Sequence, residues 1–431
     1  MMEKEQIIEN LKAYFGDKQG GFNLKHSFEG APVNQLQNFL EAVKKIPENG
    51  RLFFIGNGGS FDNASLMASL ARECGFEART PGQTSDYQSV INELGFDFIF
   101  SESLRREKLN FLDIVAGISG SGNSPNILKG LSYAMTTGAS TYAFGGRDGG
   151  KMVSVLEKGN CILAENACME AIEDTNNFMA QAVFDCIREE VSLTSSVVNL
   201  LKSVESFLTE SNYRFTGELV EGILESYKNG GRIFILGHGI GPSHFRSDLR
   251  RGATNRLPVR GLNIPELYSV NSYLATANDD GADFTMAAGL ANTGPGENDF
   301  AVLFEETLSE SEATYCSEIL RSCRVKHLKV GKKGIDISSF DSHSQNFAIT
   351  MIGHAVSVLL NQILKQPFKI RQLDNTSGFP PGHKKLGMND TLELENKYRA
   401  AGTITANEVI TFSYGNTYAV CSSEPFERAY F

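Results

Sequence analysis

The chain has 431 residues, 41% of them hydrophobic, which is enough for two or three domains that each bury an adequate core. A net charge of −11 and a pI near 5.3 leave no basic stripe to neutralise phosphates, which argues against nucleic acid as a general partner. Seven cysteines, odd in number and without a C-x-x-C pair, read as reduced thiols of a cytoplasmic protein; MMEKEQIIEN is charged from the start, so no signal peptide is expected, and no apolar run approaches a membrane span.

In chain order, the first fifty residues predict two helices separated by GDKQGGFNLKHSFEGAP. Residues 51–60, RLFFIGNGGS, then predict a strand, a glycine turn carrying Asn57, Gly58 and Ser60, and a helix from Asp62 to Glu73. GNGGS lacks the G-x-G-x-x-G spacing of dinucleotide folds, and no Gly-Lys-Ser/Thr follows it, so it is not a P-loop either. Residues 113–124, DIVAGISGSGNS, repeat the design: an apolar strand, a glycine- and hydroxyl-rich loop, and the helix-compatible NILKGLSYAM. That order builds an anion cradle, because N–H groups at the helix start face the ligand, the helix dipole favours negative charge, and Ser119, Ser121 and Ser124 add donors without blocking close approach. Taken alone, the loop is equally readable as a tight connection. Two such loops at the carboxyl ends of parallel strands, however, converge on one crevice, where open α/β sheets bind ligands.

Together with 92–100 (NELGFDFIF) and 144–152 (FGGRDGGKM), these segments resemble the successive motifs of a SIS (sugar isomerase) domain, closest to the phosphoheptose isomerases. The resemblance covers about the first half of the chain. It implies a flavodoxin-like αβα sandwich with a parallel sheet that binds a phosphosugar, with Asn57, Gly58, Ser60, Ser119, Ser121, Asn123 and Ser124 as the sugar-phosphate contacts.

RLFFIGNGGS returns as RIFILGHGIG at 232–241, an offset of 181; Asn92-Glu93-Leu94-Gly95 returns as Asn278-Asp279-Asp280-Gly281, and Asp113-Ile114-Val115 as Asp299-Phe300-Ala301, both at an offset of 186. Ordered matches at nearly constant offset predict a tandem duplication. The expected organisation is a SIS domain with leading helices at 1–195, a degenerate second SIS domain at 196–370, and an extension at 371–431. SLTSSVVNLLKSVESFLTESN (192–212) reads as a helix crossing between the repeats, RQLDNTSGFPP (371–381) breaks the periodicity, and TITANEVITFSYGNTYAVCSS predicts a strand pair in the tail.

The chemistry is less plain. Phosphoheptose isomerases resemble one another in G-N-G-G-S-x-x-x-A-x-H-x-x-x-E, and here Ala64 matches while Leu66 and Leu70 stand at the His and Glu positions, where they can neither move a proton nor bind a metal. A later family helix supplies a Gln and a His; the matching MEAIEDTNNFMAQ offers Glu170, Glu173, Asp174 and Gln181. Against Ser119, Ser121 and Ser124 the second repeat sets Glu305, Thr307 and Glu310, with Glu306 beside them, which would repel a phosphate. It also carries His238, His244, His343 and His354; Gln345 falls close to the family's Gln, and His354 one residue beyond its His. Each titratable residue also has a plain structural reading, as a satisfied core histidine or a solvated helical carboxylate. His244, His354 and Glu173 are the acid–base candidates, His383 in GFPPGHKKLG a loop residue able to close over a site, and Glu266 a first-turn acid that favours the helix dipole. RSDLRRGATNR (246–256) reads as a solvated helix face or an interface, or else presents Arg246 or Arg250 to a phosphosugar. No spacing predicts a zinc site, and no cofactor is expected.

These readings give an aldose–ketose sugar-phosphate isomerase, with phosphate held by the first repeat and acid–base groups from the second or from its copy in a homodimer. Two alternatives stay open: amino-sugar phosphate chemistry, and a non-catalytic phosphosugar-binding subunit.

Overall fold

The computed structural model describes residues 4–16, 24–82, 84–156, 158–166, 168–253, 261–268, 270–365, 369–373, 408–414 and 417–422. Three helices lead: α1 (Lys4–Phe15), α2 (Leu24–Glu29) and α3 (Val33–Lys44). The second corrects the expectation of two, because LKHSFE lies inside the expected connection. It is helical because Phe28 needs a partner and finds one, stacking on Phe178 at 4.5 Å.

The first repeat then runs β1 (Leu52–Gly56), α4 (Gly59–Glu73), β2 (Ala78–Arg79), α5 (Thr84–Glu93), α6 (Ile99–Arg106), β3 (Ile114–Ser119), α7 (Pro125–Thr136), β4 (Ser140–Gly146), α8 (Met152–Val155), β5 (Cys161–Ala164) and α9 (Met169–Arg188). Its five strands form a parallel sheet in the order β2-β1-β3-β4-β5, the doubly wound order of flavodoxin-like folds. Every residue of β1 and β3 is buried, as helices on both faces require. Phe53, Ile55, Val115, Ile127, Leu131 and Phe100 make the core beneath one face.

Between the repeats lie α10 (Leu193–Phe207) and α11 (Glu210–Lys228). A single crossing helix was expected; the chain breaks at Leu208–Thr209, where Thr209 caps α11 by accepting from Asn212 N at 3.2 Å. The second repeat runs β6 (Ile233–Leu236), α12 (Ile240–Ser247) continuing as a π turn over Asp248–Gly252, α13 (Val270–Asp279), α14 (Thr285–Asn292), β7 (Phe300–Phe304), α15 (Glu310–Ser322), β8 (Lys326–Val330) and α16 (Gln345–Lys365). Its sheet is parallel, β6-β7-β8. The duplication is visible in side chains as well as in strand order. Asp113 accepts from Arg51 N (3.0 Å) and Nη2 (2.8 Å), and Asp299 accepts from Arg232 N and Nη2 (both 2.7 Å), so the same clamp ties the starts of β1 to β3 and of β6 to β7.

Residues Gln345–Leu364 of α16 are long and apolar enough to cross a membrane, which corrects the expectation that no run approaches that length. The helix is mostly buried inside the fold, and a core helix covered on all sides has no polar face to show. The chain divides into two compact units: 2–253 with 262–359 holds both parallel sheets, and 254–261 with 360–431 holds a third sheet. In that sheet β10 (Glu408–Tyr414) pairs antiparallel with β11 (Thr417–Ser422), the strand pair expected in the tail, and parallel with β9 (Lys369–Leu373).

Candidate active site

Two strand-to-helix loops of the first repeat meet at the carboxyl edge of its sheet. At the end of β1, Gly58 takes φ +57° and caps α4, a backbone state that suits glycine. Asn57 and Asn126 join the two loops by exchanging amide hydrogen bonds at 2.9 and 2.8 Å. At the end of β3, Ser119 Oγ and Ser124 Oγ lie 3.1 Å apart; Ser124 caps α7 and Pro125 begins it, so that N-terminus is fixed and faces the crevice edge. Asn123 N donates to Ser121 Oγ (3.3 Å), and Lys151 N donates to Asn123 Oδ1 (3.2 Å), which pins the loop to the turn after β4. A side chain at Gly122 or Gly150 would collide with the opposite loop. All seven residues expected to contact the sugar phosphate therefore lie on these two adjoining loops.

Behind them sits a buried polar cluster. Ser60 Oγ donates to Glu173 Oε1 at 3.4 Å, and the Glu173 carboxylate fills the space a side chain at Gly59 would need. Glu173 Oε2 lies 3.4 Å from His354 Nε2, while His354 Nδ1 donates to Asp174 Oδ1 at 2.7 Å. Tyr14 donates its hydroxyl to the other Asp174 oxygen at 3.0 Å. Asp248 reaches both imidazoles, with Oδ2 3.5 Å from His354 Nε2 and Oδ1 3.5 Å from His244 Nε2, and the two rings cross at 87° with centroids 4.9 Å apart. The fold thus brings together Glu173, His244 and His354, the three acid–base candidates, from α9, α12 and α16.

Their burial changes what each can do. His244 and His354 are 1% and 0% exposed and stand behind Glu173, so neither meets a substrate directly. Burial, and then the neighbouring His354, push His244 well below the usual imidazole range, so it is neutral. His354 is held well above that range: burial works against its charge, but Asp174 and Asp248 outweigh it. Burial raises Asp248 far above the ordinary carboxylate range. Asp62, in the first turn of α4 and partly exposed, is pushed up to about 7 by burial and by the charge of Glu173. Sequence reasoning missed Asp62, Asp248 and Tyr14. The i,i+4 pair His244 and Asp248 was the one local signal available.

The remaining candidates lie elsewhere. His343 pairs with Glu73 at 2.7 Å on the surface. Glu266 is bridged by Arg246 (3.1 Å) and Arg250 (2.6 Å), so these cations are engaged locally. Gln345 opens α16, Gln181 donates to Asp185 at 2.7 Å, and His383 lies outside the described residues. In the second repeat, His238 and Glu312 stand where Asn57 and Asn126 stand in the first and pair at 2.9 Å; Glu305 is held by Lys329 at 2.5 Å. An imidazole–carboxylate pair thus replaces the amide pair of the cradle. Leu66 and Leu70, 2% and 1% exposed, are core residues of α4. Although no sequence spacing suggests a metal site, the ligand atoms of Glu173, His244 and His354 lie within 4.8 Å of one another.

No family model matches the chain. The chain is 38% identical over 134 residues to the phosphoheptose isomerase of Pectobacterium atrosepticum, covering 29% of this chain and 67% of that protein. It is 34% identical over 140 residues to that of Paramagnetospirillum magneticum, covering 30% of this chain and 71% of that protein. Over both repeats, the solved C-terminal domain of glucosamine-fructose-6-phosphate aminotransferase from Francisella tularensis has the same fold, with a TM-score of 0.53, 10% identity, and coverage of 84% of this chain and 96% of that one. With its glycine loops, its sheet order and relatives at this identity over two thirds or more of their length, the chain belongs to the phosphoheptose isomerase family, in a tandem SIS arrangement.

Proposed function

We propose that the protein is a sugar-phosphate aldose–ketose isomerase whose first repeat holds the phosphate. The contact that carries this reading is Ser60 on Glu173, which couples the phosphate loops to the only titratable cluster beside them among the described residues. Isomerisation through an enediol needs a group that takes a proton from one carbon and returns it to the next, and such a group works best with a pKa near the working pH. Asp62, pushed up to about 7 on the same turn as Ser60, fits that task. Glu173 fixes the Ser60 hydroxyl, and His354 and His244 act through Glu173 from behind rather than on the sugar. The phosphate sits on the α7 N-terminus with Ser119, Ser121, Asn123 and Ser124; Asn57 and Gly58 complete the rim.

The domains run 1–195, 196–370 and 371–431, and two tandem chains pair as a homodimer, reproducing a four-domain assembly. A cytoplasmic setting agrees with the six unpaired cysteines among the described residues. Burial of Leu66 and Leu70 where the family has His and Glu favours one second reading, phosphosugar binding without turnover.

Incubating candidate sugar phosphates with the protein in deuterated water separates the two. An isomerase incorporates label at C1 or C2 of its substrate, whereas a pure binder shows affinity and no label. Ser121→Glu is expected to abolish both, because a carboxylate at the α7 N-terminus occupies the anion position. Undiminished phosphosugar affinity in that variant would remove the cradle assignment.

A further inference from the structure

We propose that the buried polar cluster between the repeats is a metal site that binds one divalent ion of the zinc type through His244 Nε2, His354 Nε2 and Glu173 Oε2, with Asp248 as the fourth ligand. This goes beyond the isomerase reading and stands or falls without it. It also uses none of the positions taken by Leu66 and Leu70, since two of its ligands come from α12 and its π turn and one from α16.

His244 Nε2, His354 Nε2 and Asp248 Oδ2 are buried and find no hydrogen-bond partner among the described residues. Buried polar groups are nearly always satisfied, and three orphans pointing at one place call for something between them. His354 Nε2 lies 3.4 Å from Glu173 Oε2 and 3.5 Å from Asp248 Oδ2, and His244 Nε2 lies 3.5 Å from Asp248 Oδ1. These are too long for good charge-assisted hydrogen bonds. The two spacings from His354 Nε2 match ligands of one tetrahedral centre, which stand about 3.3–3.6 Å apart when each is roughly 2.0–2.2 Å from the ion; the ligand atoms of Glu173, His244 and His354 all lie within 4.8 Å of one another, and Asp248 offers one oxygen to each imidazole.

Asp174, 0% exposed, accepts from His354 Nδ1 and so fixes the tautomer whose Nε2 lone pair is left to ligate an ion, and Tyr14 holds the far Asp174 oxygen. A carboxylate behind a ligating histidine is the usual support of a metal site. Charge points the same way. Asp62, Glu173, Asp174 and Asp248 crowd around two imidazoles, and a dication offsets carboxylates whose mutual repulsion at low dielectric is otherwise costly. Two imidazoles with carboxylate oxygen suit zinc, cobalt or nickel better than magnesium or calcium. Local backbone features bring the ligands together: α12 passes into a π turn at Asp248, closed by Ala253 N on Asp248 O at 2.9 Å, and Gly353 lets α16 approach Phe245 and Asp248.

The test is metal binding by the full chain without substrate. After dialysis against a chelator, zinc titration by calorimetry and elemental analysis should give one ion per chain and a raised Tm. Asp174→Asn should weaken affinity by roughly 10- to 100-fold. His244→Asn and His354→Asn should each abolish binding at micromolar zinc, with folding checked by circular dichroism. Cobalt is the safeguard should a variant misfold: in the wild-type chain it should give only the weak visible bands of nitrogen and oxygen ligands. No ion bound by the wild-type chain, unchanged binding in both histidine variants, or an intense sulfur-to-cobalt band would each overturn the proposal. Because no assay step involves sugar, loss of the isomerase reading leaves this result intact.

Discussion

At the scale of single residues, Asp62 bears most on activity. It shares the first turn of α4 with Ser60, remains partly exposed, and titrates at about 7 because burial and Glu173 both resist its ionisation. Replacing it by Asn keeps the shape and removes the transferable proton, so Asp62→Asn should lower kcat by about 100- to 10,000-fold while KM for the sugar phosphate changes little. Steady-state kinetics check this; a variant with near wild-type kcat would move the proton transfer to another group. The glycine loop before Asp62 was legible from spacing alone, but that residue differs from a solvated first-turn acid through its burial and through Glu173, which lies more than a hundred positions away. Asp248 is similar: its neighbours His354 and Glu173 lie on other helices, and periodicity does not say which buried polar faces meet.

At the scale of elements, strands, loops and the duplication were readable because each rests on local pattern. Apolar runs ending in glycine became β1, β3 and β6, and the offsets of 181 and 186 recur in the matched clamps of Asp113 and Asp299. What failed locally failed for want of tertiary partners: α2 forms because Phe28 has Phe178 to stack on, and α16 can be largely apolar because its neighbours cover most of it. Helix α6 permits a prediction with a definite sign. Glu102 receives Arg105 at 2.7 and 2.8 Å and Arg106 at 3.0 Å, and these bonds, Arg105 first, lower its pKa to about 2 from an unfolded value of 4.5. A carboxyl lowered in the folded state stabilises above the unfolded pKa and loses that contribution as pH falls toward the folded one. The Tm difference between wild type and Glu102→Gln should therefore be fully present above pH 4.5 and shrink as pH drops from there toward 2. A difference independent of pH would show that the ion pairs contribute nothing.

At the scale of the molecule, the two repeats share their centre. Phe347 of α16 packs 5.8 Å from Phe28, 6.2 Å from Phe178 and 6.0 Å from Phe340, while about two helical turns further on His354 meets Asp174 of α9. An aromatic layer and an ionic layer thus join helices from both halves, and the repeats cannot separate without parting the stacked rings and breaking the buried bond between His354 and Asp174. It follows that the repeats unfold together. Phe347→Ala removes a fully buried ring and should cost about 3–5 kcal/mol. If the centre is common property, that loss appears equally in both halves: hydrogen exchange of the β1 and β6 amides should accelerate by the same factor, and denaturant unfolding should remain a single transition moved to lower concentration. Faster exchange confined to β6, with β1 unchanged, would mean that the first repeat stands alone and that the tandem is a tether between two independent domains. The shared unfolding step matters for chemistry, because the cluster behind Ser60 exists only while α9, α12 and α16 are packed. A protein built this way keeps its glycine loops on one repeat and the support behind Ser60 on both, so that the second copy supplies His244 and His354 beside a first copy whose Leu66 and Leu70 lie in the core.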